Sequence, residues 1–156
     1  MTAVKLTWSE VSFAAHVGVA RRVYAQSRGC KERHGVTPEN AWTRDIEGAC
    51  AEMAVAKVFG FFWSGGIGNL KVDVGPYQVR GTARPDGCLI LHDDDEDADQ
   101  FILVTGLAPN FFLVGWIYAR DGKNKKWWCD PSRKNRPAFF VPQSVLRPIS
   151  ELWGMQ

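Results

Sequence analysis

Two adjacent apolar runs, Phe101 to Leu107 and Phe111 to Ala119, set the strongest constraint on this chain. Pro109-Asn110 stands between them as a turn, so the runs read as the two strands of one hairpin. Their near-continuous apolar character predicts central strands, buried on both faces. The 156 residues are the size of one domain with one core. A hydrophobic share of 46% against 23% charged excludes a disordered chain. Together these features predict an α/β domain with a mixed central sheet flanked by helices.

Two segments have helical character. Residues 7–28 carry Phe13, Val17, Ala20, Val23 and Tyr24 at helical spacing, and Thr7 with Glu10 forms a capping box. Arg21, Arg22 and Arg28 suit the C-terminal dipole and read as a solvated face, with a phosphate-backbone contact as the sharper alternative. Gly29 to Asn40 reads as a polar loop. Asp45 to Gly60 is the second helix, capped by Asp45, ended by Gly60 and rich in small residues that allow close packing on a sheet. Glu52 interrupts its apolar run from Cys50 to Ala56. A carboxylate there calls for a partner, either Arg80 or a metal ion, unless it is exposed beside Lys57 or solvent. Residues 1–40 read as an N-terminal helical extension of a single domain spanning 1–156.

Lys71 to Thr82 reads as two brief strands around a Gly75-Pro76 turn. Strand alternation sets Gln78 and Arg80 on one face and Val79 on the other. Asp73 ends the first arm, across the turn from Gln78. An acid, an amide and a cation are thus expected along one edge, with Glu52 behind them on the helix.

The remaining motifs are weaker. Phe61 to Leu70 is an aromatic, then Gly-rich loop without the spacing of a phosphate-binding loop. Cys88 to His92 reads as a short strand. The acidic run from Asp93 to Asp99 lacks the Gly and terminal Glu of a calcium loop and reads as a solvated turn. Trp127-Trp128 beside the cations 133, 134 and 136 has the aromatic and basic interleaving that can hold nucleic acid by stacking and phosphate contact. Ala138 to Val141 reads as a last strand, and Pro142 to Leu146 as the start of a final helical turn.

A net charge of +2 excludes a strongly basic nucleic-acid binder, so any positive patch must be local. Cys30, Cys50, Cys88 and Cys129 form no CxxC pair, which argues against a cysteine zinc site, and their spacing argues against a disulfide framework. Neither a signal pattern nor an apolar run of membrane-spanning length is present in the sequence. A soluble, cytoplasmic protein is the expectation.

Hard oxygen ligands for a divalent cation, with a fixed positive charge beside them, are what metal-dependent phosphodiester hydrolysis needs. The segment from Asp45 to Thr82 resembles the PD-(D/E)xK nuclease superfamily, and the chain looks like its small phage- or prophage-encoded members. The helix Glu falls on Glu52, the Asp on Asp73, and the (D/E)-x-K triplet on Gln78-Val79-Arg80. The resemblance implies a restriction-endonuclease-like fold and a Mg²⁺- or Mn²⁺-dependent deoxyribonuclease in a bacterial host cell. It also implies Glu52, Asp73 and Gln78 as metal ligands, with Arg80 at the scissile phosphate. Arg84, Trp127 and Trp128 are candidate DNA contacts. Gln78 replaces the usual acid and removes one negative charge. Arg80 replaces Lys and stays protonated, so it can orient a phosphate but cannot act as a base. The alternative is a catalytically inactive nucleic-acid- or protein-binding or assembly protein on the same fold, within a phage particle or as a modulator of a host protein, with Trp127-Trp128 and the basic loop after them as its contact surface. A homo-oligomer, ring or dimer, is what processive cutting by the nuclease would need.

Overall fold

The computed structural model describes residues 1–30, 38–68, 72–131 and 136–155. The two apolar runs form the expected hairpin, β4 (Gln100–Leu107) with β5 (Asn110–Tyr118), at the centre of a four-stranded sheet. Its edges are β1 (Thr2–Lys5), antiparallel to β5, and β2 (Tyr77–Thr82), parallel to β4, giving the order β1-β5-β4-β2. Val114 is the extra residue of a bulge where the β4–β5 register shifts.

Alternation along β4 splits the core in two. Ile102 and Val104 point into one cluster with Val79, Tyr77 and Trp116, covered by α1 (Trp8–Ser27) and α2 (Pro38–Phe59). Phe101 and Leu103 point into the other with Leu89, Leu91, Phe139 and Val141. The second cover is not helical. β3 (Leu89–Leu91), β7 (Ala138–Val141) and β6 (Trp128–Cys129) form a separate three-stranded sheet in the order β3-β7-β6. A single central sheet flanked by helices therefore holds for one face only. The only two long helices among the described residues both lie on that side, α2 against the sheet and α1 on α2, so short apolar strands cover the other face. A one-turn helix, α3 (Ala119–Gly122), follows β5 directly.

The α1 capping box is present, with Thr7 and Glu10 bonded reciprocally. Its buried stripe differs from the expected one. Ala14, Val17, Gly18 and Arg22 face inward, while Phe13, Val23 and Tyr24 are exposed. The cause is the neighbour: α1 packs along α2 rather than on the sheet, and close helix approach selects small side chains. α2 spans Pro38–Phe59, so of the segment expected as a loop from Gly29 to Asn40, Gly29 and Cys30 are non-helical while Pro38 to Asn40 are helical. Asp45 lies inside the helix and pairs with Arg22 at 2.7 Å instead of capping. The N-terminal segment is not purely helical, since Thr2–Lys5 forms a strand of the main sheet. No helix among the described residues is long and apolar enough to cross a membrane.

Candidate active site

The turn that launches β2 is tighter than a hairpin. Val74 and Tyr77 make an isolated bridge around Gly75-Pro76, and Gly75 has φ +54°, a region that favours glycine. Lys71, the expected start of a first arm, lies outside the described residues, and 72–74 do not form a strand. The turn folds Asp73 back along the open edge of β2. There Asp73 Oδ2 accepts the Val79 N–H at 2.8 Å, a donor that the edge strand would otherwise leave to water.

Glu52 approaches from the helical side. α2 lies close to β2: a Cβ built on Gly81 would stand 3.2 Å from the Ala51 Cβ. Glu52 is 7% exposed and is held by Arg21, not by Arg80. Arg21 donates Nη1 to Oε1 at 2.6 Å and Nη2 to Oε2 at 2.8 Å, in a bidentate fork. Trp63 Nε1 donates to Oε2 at 3.1 Å, and Arg21 Nε is fixed by the Gly66 carbonyl at 2.9 Å. The arginines read as a solvated face are thus the ones that meet the acids of α2. They continue the buried α1 stripe, Arg22 four residues beyond Gly18 and Arg21 four beyond Val17. That stripe of small residues running into two cations was the available signal.

Gln78 and Arg80 point to the opposite face of the sheet, as alternation predicts. Arg80 lies over the Phe101 ring at 4.7 Å, donates Nη2 to Asp95 at 3.0 Å and reaches the Ile90 carbonyl at 3.3 Å. Gln78 donates Nε2 to Asp99 at 3.3 Å. The sequence-predicted set is therefore divided by the strand. Asp73, at the edge, is the member that feels both sides.

The electrostatics follow this geometry. Burial pushes the Asp73 carboxyl above its usual range, against the Val79 N–H and the Arg80 and Arg21 charges, which pull it down. Burial likewise pushes Glu52 up, opposed by Arg21, while the nearby charge of Asp73 adds to the rise. Two desolvated carboxylates, both within electrostatic reach of Arg21, mark a functional-site candidate.

This arrangement has a consequence for stability. A carboxyl whose pKa is higher in the folded than in the unfolded chain gives stability that is fully present below the unfolded value. That stability is lost as pH rises through the folded value. Above the folded value Asp73 therefore carries its whole burial cost. Asp73→Asn, which keeps an oxygen for the Val79 N–H, is expected to raise the melting temperature by a few degrees at pH 7.5. The gain should fade as pH falls through the folded value, where wild-type Asp73 takes up its proton. Melting both proteins across that range checks the sign; a loss at neutral pH contradicts it.

The acidic run is not an open calcium loop. Lys123 lies among the Asp93 carbonyl and the Asp97 carboxylate, both at 3.0 Å, and the Asp95 carbonyl, while Asp95 accepts from Arg80 and from the His92 N–H. A lysine from the end of α3 is its cation. Arg84 pairs with Asp86 in an exposed fork, beyond the end of β2. Trp127 is half-buried beneath Lys126, and Trp128 packs on Phe139 with 41% exposure, both at the three-stranded sheet. The cations 133 and 134 lie outside the described residues.

Among the described residues, no group of three or more His, Cys, Asp or Glu side chains is placed to hold a metal ion. Two carboxylates are enough in principle, because Mg²⁺ commonly uses one or two together with waters and substrate phosphate. Glu52 and Asp73 fit that chemistry as hard oxygen donors. Gln78, turned to Asp99, does not join them in this arrangement. No protein-family model, curated protein or solved structure matches this chain.

Proposed function

We propose that this chain is a metal-dependent nuclease, a divergent PD-(D/E)xK-like domain with a restriction-endonuclease-like core, which hydrolyses phosphodiesters in DNA. The observation that carries the reading is the pair Glu52 and Asp73. Separate elements contribute them, both are raised by burial, Glu52 feels the charge of Asp73, and both feel the charge of Arg21. Carboxylates kept in so costly a position are suited to a ligand that compensates their charge.

Glu52 and Asp73 would hold Mg²⁺ or Mn²⁺. Such a cation supplies a Lewis acid for the phosphoryl oxygen and lowers the pKa of a bound water. Arg80, fixed by Asp95 and Phe101, supplies positive potential that reaches Asp73 and would serve a phosphate. Because Arg80 cannot accept a proton, the base in this reading is not Arg80. Gln78 acts through Asp99 as a support of the strand rather than as a ligand.

The test is cleavage of linear and circular DNA with Mg²⁺, with Mn²⁺ and with chelator. Cutting that needs metal is the expected result, and loss of linear DNA alone identifies an exonuclease. A folded protein that leaves both DNAs intact with either metal overturns the reading.

A further inference from the structure

Arg21 occupies both oxygens of Glu52, the same atoms that the proposed cation needs. A carboxylate oxygen accepting a charge-assisted bond at 2.6 Å has its strongest lone-pair direction committed. The guanidinium is also not free to drift, because the Gly66 carbonyl holds Nε and Trp63 lies beneath it with its centroid 6.0 Å away. Its side chain is nonetheless 23% exposed, against 9% for Glu52, so Arg21 is the partner with a way out toward solvent.

Building on the nuclease reading, we infer that Arg21 is an exchangeable internal cation: it closes the Glu52–Asp73 site and must release Glu52 before a divalent ion is held there. The charge balance favours the exchange only when a phosphate is present. With a divalent ion on the two carboxylates, the displaced guanidinium gains a phosphate oxygen as a partner of equal chemistry. Metal and nucleic acid therefore assist each other's binding through Arg21, and by linkage the assistance is mutual.

The experiment is a Mn²⁺ titration, read by the loss of the free-ion signal in electron paramagnetic resonance. It uses wild type, Arg21→Gln, Glu52→Gln and the double variant, with circular dichroism to verify folding. Competition predicts that Arg21→Gln binds Mn²⁺ about tenfold tighter than wild type. It also predicts that this gain disappears in the Glu52→Gln background, because the contested oxygens belong to Glu52. An oligonucleotide with non-hydrolysable linkages should tighten Mn²⁺ binding in wild type and less so in Arg21→Gln. Arg21→Lys, which keeps the charge but loses the fork, should fall between the two and serves if Arg21→Gln does not fold. Equal or weaker Mn²⁺ binding by Arg21→Gln overturns the inference and leaves the nuclease reading standing. So does a gain that persists without Glu52, which would be a general charge effect. Absence of Mn²⁺ binding in every variant overturns both.

Discussion

Asp73→Ala is expected to lower metal-dependent DNA cutting by roughly 10³-fold or more, equivalent to about 4 kcal/mol of transition-state stabilisation. Asp73 is the one predicted site residue coupled to both sides of β2, through Arg80 on one face and through Glu52 and Arg21 on the other. Its loss removes a hard ligand and also releases the Val79 N–H to water. Gln78→Ala should cost far less, about tenfold, because the Gln78 amide is engaged with Asp99 and not with the carboxylate pair. Initial rates with Mn²⁺ at one pH, on variants whose melting is measured in parallel, give both numbers. A Gln78 effect as large as that of Asp73 would mean that the amide turns into the site. An Asp73→Ala variant that cuts like wild type would move the activity elsewhere or deny it.

The difference between those two residues shows where the sequence was readable. Period-two alternation is dictated by strand geometry, so Gln78 and Arg80 on one face and Val79 on the other followed without any structure. The β4–β5 hairpin was legible for the same reason, because its apolar runs and turn are local signals. Which partner each polar group meets is a long-range matter. Glu52 needed a cation, and Arg80 and Arg21 stand at nearly equal sequence separations from it, so spacing could not choose between them; Arg21 holds it. The sequence also could not show that Cys88 to His92 and Ala138 to Val141 would pair with each other and leave the main sheet, since their apolar character suits either sheet. β1 escaped notice because four residues of mixed polarity carry little periodic signal, and its place is set by the β5 edge. The Arg21 and Arg22 pairings were within reach: Ala14, Gly18 and Arg22 recur at four-residue spacing, and the stripe of small residues marks the helix face that meets another helix.

At Gly18 that helix contact leaves no room for a side chain, and Gly18→Ala is expected to destabilise the protein by about 3 kcal/mol. A Cβ at this position would stand 2.5 Å from the Ile46 Cα, 2.7 Å from the Asp45 carbonyl oxygen and 2.7 Å from the Ile46 nitrogen. All three are backbone atoms, so no rotamer change can relieve the clash and the two helices must separate. The better helix propensity of alanine returns only about 1 kcal/mol. Gly48 on α2 is the control, since a Cβ there meets nothing within 4 Å and Gly48→Ala should stabilise by up to about 1 kcal/mol. Urea unfolding at constant m-value separates the two, with midpoints shifting in opposite directions. The same clash bears on function, because the α1–α2 spacing at Gly18 sets the reach of Arg21 to Glu52 less than one turn away. Helices that separate at Gly18 should also loosen the Arg21 fork. Mn²⁺ binding by folded Gly18→Ala protein should then be tighter than wild type, even as its stability falls. A variant that unfolds at the wild-type urea midpoint would show that α1 and α2 do not approach this closely.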